Sequence, residues 1–224
     1  MSTGPGRAAT VAAIEASGVV AVVRLRDASA FPEVAAALVG GGVRAIEVTM
    51  TVPHAVSLIE RLVANAPAGL LVGAGTVLDA ETARQVVLAG ATFVVGPVFR
   101  PAVIELCHRY DVAAMPGCFT PTEILAAWEA GADIVKVFPA TALGPGFFRD
   151  IQGPLPQVRM MPTGGVTREN AGEWIRAGAV AIGVGTALVD RKAVAERRYD
   201  AVTDNARHFV EAVRLARGQS ASGG

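Results

Sequence analysis

Lysine is nearly missing from this 224-residue chain: of twenty basic residues only Lys136 and Lys192 are Lys, and the rest are Arg. Aromatics make up only 5%, so a core has to be assembled from Ala, Val, Leu and Ile. Twenty basic and twenty acidic residues cancel to a formal charge of +0, without the basic excess of a nucleic-acid binder. The two cysteines, Cys107 and Cys118, have neither metal-ligand spacing nor the setting of a disulfide framework. Apolar runs are broken by Gly, Pro or charge well before the ~18 residues a membrane span needs. The start, MSTGPGRAAT, lacks the basic-then-apolar layout of a secretion signal. A cytoplasmic globular protein is expected, with no nucleic-acid and no membrane partner. At 52% hydrophobic and 18% charged, the chain is too apolar to be disordered.

Short runs rich in Val, Ile and Ala alternate with segments of helical period. Strands are expected near 19–25, 45–50, 70–76, 93–98, 113–118, 134–140, 159–165 and 181–189. Helices are expected near 29–39, 54–65, 79–88, 101–110, 121–130, 147–153, 167–177 and 199–217, with a leading helix near 8–16. Ser29, Asp79 and Thr120 stand at candidate N-caps, the last followed by Pro121 and Glu123. Near-continuous apolar strands are buried on both faces, as in a parallel sheet covered by helices. About eight β/α units in so short a chain predict a single-domain (β/α)8 TIM barrel over residues 1–217 with an extra N-terminal helix. Residues 218–224 read as a disordered tail. An open doubly wound sheet fits less well, because the first unit lacks the glycine-rich turn that marks it.

Lys136 lies in the apolar run Asp-Ile-Val-Lys-Val-Phe-Pro, where a cation is expensive. Alternation in a barrel strand sets Lys136 on one face with Ile134 and Phe138, towards the lumen. In the second strand the same rule aligns Ala45, Glu47 and Thr49. Strands two and six lie opposite one another in a ring of eight, so Glu47 and Lys136 can meet, and Arg24 adds a charge late in strand one. A buried ion pair fixing register would account for this arrangement, although desolvation makes such pairs weak sources of stability. An amine nucleophile beside a proton-transferring carboxylate accounts for more. A lysine amine can be brought towards neutrality and form a Schiff base, whereas a guanidinium stays protonated. That explains a Lys at this position in a chain otherwise given over to Arg.

Met-Pro-Thr-Gly-Gly-Val-Thr (161–167) and Gly-Val-Gly-Thr (183–186) end strands seven and eight. Barrels often bind phosphate there, because glycine permits close backbone approach and N–H groups attract anions. A tight turn would explain either motif alone. Gly-Ala-Gly-Thr (73–76) ends strand three, and its Thr76 could hydrogen-bond a substrate carboxylate.

Ile-Glu-Val-Thr-Met-Thr, Val-Gly-Ala-Gly-Thr-Val-Leu, Met-Pro-Gly-Cys-Phe-Thr-Pro-Thr-Glu, Val-Lys-Val-Phe-Pro-Ala and Pro-Thr-Gly-Gly-Val follow one another in this order. Together they resemble the 2-keto-3-deoxy-6-phosphogluconate (KDPG) aldolase family, whose members also act on 4-hydroxy-2-oxoglutarate (KHG) and on the galactonate epimer. The resemblance implies a class I aldolase needing no metal or other cofactor, a 2-keto acid as its small-molecule partner, and a homotrimer. It would cleave KDPG to pyruvate and glyceraldehyde 3-phosphate, as in Entner–Doudoroff carbohydrate metabolism. By the same resemblance Lys136 forms the Schiff base and Glu47 shuttles protons. Thr76 and Thr163 line the pyruvyl end, Pro97 and Phe138 form apolar walls, and Gly164, Gly165, Gly185 and Thr186 meet the phosphate.

Some family members hold the carboxylate with an Arg shortly after the second-strand Glu, where this chain has Thr51. Others use an Arg late in strand one, and by that resemblance Arg24 takes the role in this chain. Many members have Ser where Gly96 and Thr186 stand; Thr186 keeps a hydroxyl and Gly96 does not. A non-covalent phosphate-binding isomerase would share the glycine turns without needing Lys136. A metal-dependent aldolase would need clustered carboxylates or His, yet His54, His108 and His208 fall in helical or surface segments. A silent scaffold of the same fold would have no use for the Lys136–Glu47 pair. The cysteines and the mid-helix Trp128 and Trp174 read as packing residues.

Overall fold

The computed structural model describes residues 4–25 and 27–220. Helix α1 (Arg7–Ser17) leads through Gly18, in the left-handed conformation, into strand β1 (Val19–Val23). The chain then runs through α2 (Phe31–Gly40), β2 (Ala45–Thr49), α3 (Ala55–Asn65), β3 (Leu71–Gly75), α4 (Ala80–Leu88), β4 (Phe93–Val95) and α5 (Pro101–Arg109). The fifth strand is in two pieces, β5 (Ala113–Met115) and β6 (Gly117–Cys118). After it come α6 (Pro121–Glu129), β7 (Val135–Val137), α7 (Gly144–Gln152), β8 (Met160–Pro162) and α8 (Ala171–Arg176). The last elements are β9 (Ile182–Val184), α9 (Arg191–Ala195) and α10 (Tyr199–Ser220).

Every strand pairing is parallel. One sheet has the order β5-β4-β3-β2-β1-β9 and the other β6-β7-β8. Isolated bridges, Met160 to Ala179 and Thr163 to Gly183, link the second sheet towards β9. The break in the fifth strand has a cause in Pro116, which has no N–H to give a ladder. Its carbonyl still accepts from the Lys136 N–H at 2.9 Å. β5 pairs with β4 before it and β6 pairs with β7 after it. Gly117 is required at this crossing, since a Cβ there would overlap the Pro97 backbone.

The strands divide the core in two. Val19, Ala21, Ile46, Val48, Val135 and Val137 pack outward with the helices. Val20, Ala45, Leu71, Phe93, Ala113 and Ile134, drawn from both sheets, form a second cluster with Met161 and Ala181. Helix α1 plants Val11 and Ile14 in that second cluster. Arg217 of α10 braces α1 by donating to the carbonyls of Ala16 at 2.8 Å and Glu15.

Two of the three expected N-caps form. Asp79 accepts from the Thr82 N–H at 2.6 Å, and Thr120 with Glu123 forms a complete capping box. Ser29 does not cap: it lies in a 3-10 turn, and Ala30 precedes α2 with no side-chain bond. The Ser29 N–H is taken by Asp27 Oδ1 at 2.8 Å. The short helix α9, capped by Asp190, lies outside the expected set. Helix α10 continues to Ser220, so of the residues expected as a tail 221–224 lie outside those described. None of the described helices is long and apolar enough to cross a membrane.

Candidate active site

Glu47 and Lys136 occupy the middles of β2 and β7, and both are buried, at 1% and 6% exposure. Lys136 is held by its neighbours on both sides, paired with Gly117 on β6 and Met161 on β8. Its Nζ lies 5.0 Å from the centre of the Phe138 ring, a cation–π contact that partly replaces lost water. Glu47 pairs with Val22 of β1 and Gly73 of β3. Its carboxylate lies over Gly75, where a Cβ would overlap it, so only glycine leaves the space. Burial pushes the Glu47 pKa above its ordinary 4.5, opposed first by the Lys136 charge and then by Arg24. Its Oε2 is buried without a hydrogen-bond partner. A buried carboxylate so placed costs free energy that packing alone does not explain.

Around this pair other polar groups converge. Thr49, fully buried, shares a 2.8 Å hydrogen bond with Thr51, so the residue standing where some relatives have Arg has its hydroxyl turned to Thr49. The Thr163 hydroxyl is buried and unpartnered, and Gly183 gives it room. Thr76, just past β3, has φ 60, which costs a β-branched residue about 1–3 kcal/mol and is tolerated mostly where function demands it. Pro97 follows β4, half-buried, with its backbone against Gly117.

A cavity of about 200 Å³ opens beside them, and Phe138, Thr163, Gly164, Gly165, Gly185 and Thr186 all stand on its wall. Arg24, exposed just beyond β1, joins them. Gly164 and Gly165 have φ 86 and 75, conformations that a side chain would strain. Asn170 braces this turn, donating to the Gly165 carbonyl and accepting from the Thr167 N–H, each at 2.8 Å. The structure therefore gathers seven of the expected residues on one wall. Lys136 reaches it through Phe138, whereas Thr76 and Pro97 are not part of that wall. Sequence reasoning missed Thr49, Asn170 and Arg191, the last also on the wall. Thr49 shares the alternation of Glu47, which is a usable signal; Asn170 and Arg191 carry no periodic signal.

A buried amine and a buried carboxylate that feel each other's charge, with Phe138 between the amine and a cavity lined by glycines and arginines, form an arrangement suited to Schiff-base chemistry on an anionic keto acid. The comparisons agree. A model of the KDPG and KHG aldolases matches residues 11–205.

The chain belongs to the KDPG and KHG aldolase family.

The 2-dehydro-3-deoxy-phosphogluconate aldolase of Treponema pallidum (strain Nichols) is 36% identical over 195 residues, 85% of this chain and 91% of that one. A probable 2-dehydro-3-deoxy-6-phosphogalactonate aldolase of Rhizobium meliloti (strain 1021) is 40% identical over 156 residues, covering 69% and 74%. The KDPG aldolase of Legionella pneumophila, solved with pyruvate captured as a covalent carbinolamine, superposes with a TM-score of 0.83 at 28% identity, covering 89% and 97%. As a member of this family the chain is an aldolase, hence a lyase.

Elsewhere the expectations for the packing residues are met. Cys107 and Cys118 are buried, and burial pushes both thiols up to about 12, where they are inert. Trp174 packs edge-on against Phe148 at 5.1 Å. Among the described residues no group of three or more His, Cys, Asp or Glu is placed to hold a metal ion.

Proposed function

We propose that this aldolase cleaves 2-keto-3-deoxy-6-phosphogluconate to pyruvate and glyceraldehyde 3-phosphate through an imine on Lys136. The observation that carries the reading is the burial of Lys136 within electrostatic reach of the buried Glu47. The Lys136 amine adds to the C2 ketone, and loss of water gives an iminium. The C3–C4 bond then breaks and its electron pair passes towards the iminium nitrogen, leaving an enamine. The C4 hydroxyl gives its proton to the Glu47 carboxylate and leaves as the aldehyde. The enamine takes that proton back at C3, and water hydrolyses the imine to pyruvate and free amine. Thr163 and Arg24 hold the carboxylate, and Thr76, just past β3, is assigned to the pyruvyl end as well. Phe138 and Pro97 keep the reacting carbons dry. Gly164, Gly165, Gly185 and Thr186 take the phosphate.

The galactonate epimer is a second reading, favoured by the 40% identity to the Rhizobium meliloti protein. KHG, which would yield pyruvate and glyoxylate, uses the same imine. We read the two sheets as one closed (β/α)8 barrel joined by the bridges to β9, with α1 as an extra helix sealing its base. The protein is proposed to work in the cytoplasm as a homotrimer. The exposed apolar Leu78, Val98 and Phe119, which follow β3, β4 and β6, support a buried subunit contact on that rim.

Reduction with borohydride in the presence of pyruvate, followed by peptide mass spectrometry, is the test. A pyruvyl adduct on Lys136 is expected. An unmodified Lys136 in folded protein would overturn the mechanism and favour a non-covalent isomerase.

A further inference from the structure

We infer that Arg191 is a second, side-chain contact for the phosphate, and that it makes this enzyme select phosphorylated 2-keto acids over unphosphorylated ones. The inference rests on the aldolase reading and adds to it a residue that the glycine turns alone do not supply. Arg191 stands on the wall of the same cavity as Gly164, Gly165, Gly185 and Thr186. It follows β9 on the segment that carries Gly185 and Thr186, so the turn and the guanidinium are delivered together. Its neighbour Asp190 is engaged elsewhere, accepting from the Ala193 N–H at 2.7 Å. No carboxylate lies within ion-pair distance of Arg191 among the described residues. The side chain is exposed and charged, with its five donors available.

Charge counting points the same way. The substrate brings a carboxylate and a phosphate, and a phosphate monoester carries about −1.5 to −2 at neutral pH. Among the described residues two guanidinium groups, Arg24 and Arg191, face the cavity. If Arg24 holds the carboxylate, the glycine turns offer the phosphate only N–H dipoles and the Thr186 hydroxyl. A planar guanidinium meets phosphate oxygens two at a time and brings a full positive charge, which a backbone turn does not. Arg24 and Arg191 also form part of a larger cavity of about 690 Å³ with Arg197 and Tyr199. Asp27 and Glu33 lie on that side too. Asp27 is occupied by the Ser29 N–H, and its charge is felt by Arg197. Arg191, like Arg24, therefore lines both spaces.

The test compares Arg191→Ala and Arg191→Lys with the unaltered enzyme on two substrates, 2-keto-3-deoxy-6-phosphogluconate and its unphosphorylated counterpart. For the phosphorylated acid kcat/KM should fall ~10–100-fold in Arg191→Ala, the span of one lost charged hydrogen bond, and mostly in KM. The unphosphorylated acid should be cleaved as before, and inhibition by inorganic phosphate should weaken in parallel. Arg191→Lys should recover part of the loss, keeping the charge without the fork. Equal losses on both substrates, or no loss on either, would overturn the inference. Borohydride trapping of pyruvate on Lys136, which involves no phosphate, runs alongside. An adduct formed equally in all three proteins keeps the aldolase reading whichever way the substrate comparison falls. An absent adduct in the unaltered enzyme would take both down.

Discussion

The two ends of the inner cluster are built on opposite rules. At its base Val20, Ala45, Leu71, Ala113 and Ile134 meet Val11 and Ile14 of α1 in an apolar cluster, and the buried Thr10, Thr92 and Asp133 nearby all have hydrogen-bond partners. Two residues past Ala45 and Ile134 stand Glu47 and Lys136, with Thr49 two further along β2 and Thr163 just after β8, all buried. Two of these four keep a polar atom without a partner, Glu47 Oε2 and Thr163 Oγ1. The base is made to be stable and the far end to react. Strand period does both at once, because residues two apart share a face. A single strand can thus carry a packing residue such as Ile134 and a reactive one such as Lys136.

Substitutions can break this comparison. The largest effect is expected from Lys136→Arg, which keeps the charge and removes the neutral amine. Turnover should be abolished and no pyruvate adduct trapped; appreciable residual cleavage would show that the nucleophile lies elsewhere.

Glu47→Gln should fold, still form the adduct with pyruvate, and lose ~10²–10⁴ in kcat, the usual share of one acid–base group. The pH dependence sharpens the prediction. Burial holds the Glu47 pKa above 4.5, and the carboxylate form is needed as the base. In the unaltered enzyme kcat should therefore rise along an acid limb lying above pH 4.5, and that limb should vanish in Glu47→Gln. The raised pKa also means the folded state keeps the Glu47 proton to higher pH than the unfolded chain. Its contribution to stability is then complete below pH 4.5 and fades as pH climbs through the folded value.

At the base the signs reverse. Ile14→Ala removes a fully buried side chain and should cost about 2–5 kcal/mol in denaturant unfolding, while kcat per folded molecule stays unchanged. A loss of kcat comparable to that of Glu47→Gln would mean the two ends are not independent.

Much of this is legible in the sequence. Lys136 stands out because Arg serves for nearly every other cation, and Glu47 because it interrupts an apolar alternation. The glycine turns are visible as pairs at strand ends; positive φ explains Gly164 and Gly165, whereas Gly75 and Gly183 are explained by the Glu47 and Thr163 side chains packed against them. The break at Pro116 is hidden because a proline in an apolar run looks like a strand end, not a change of partner. Ser29 has the look of a cap, but Asp27 holds its N–H and the helix starts two residues later. Arg191 and Asn170 are invisible because they stand at the starts of the short helices α9 and α8, where no period has yet built up, and what they touch depends on strands far away in the chain.

Composition and periodicity were enough to settle the alternation of parallel strands and helices, the single apolar core chemistry, and which strands carry charge. Those follow from local rules, repeated every two or 3.6 residues. Tertiary structure decided that Glu47 and Lys136 feel each other, that Gly75 makes room for a carboxylate, and that Arg24 and Arg191 share one cavity. These depend on contacts between residues far apart in the sequence, and only the packed strands bring them within reach of one another.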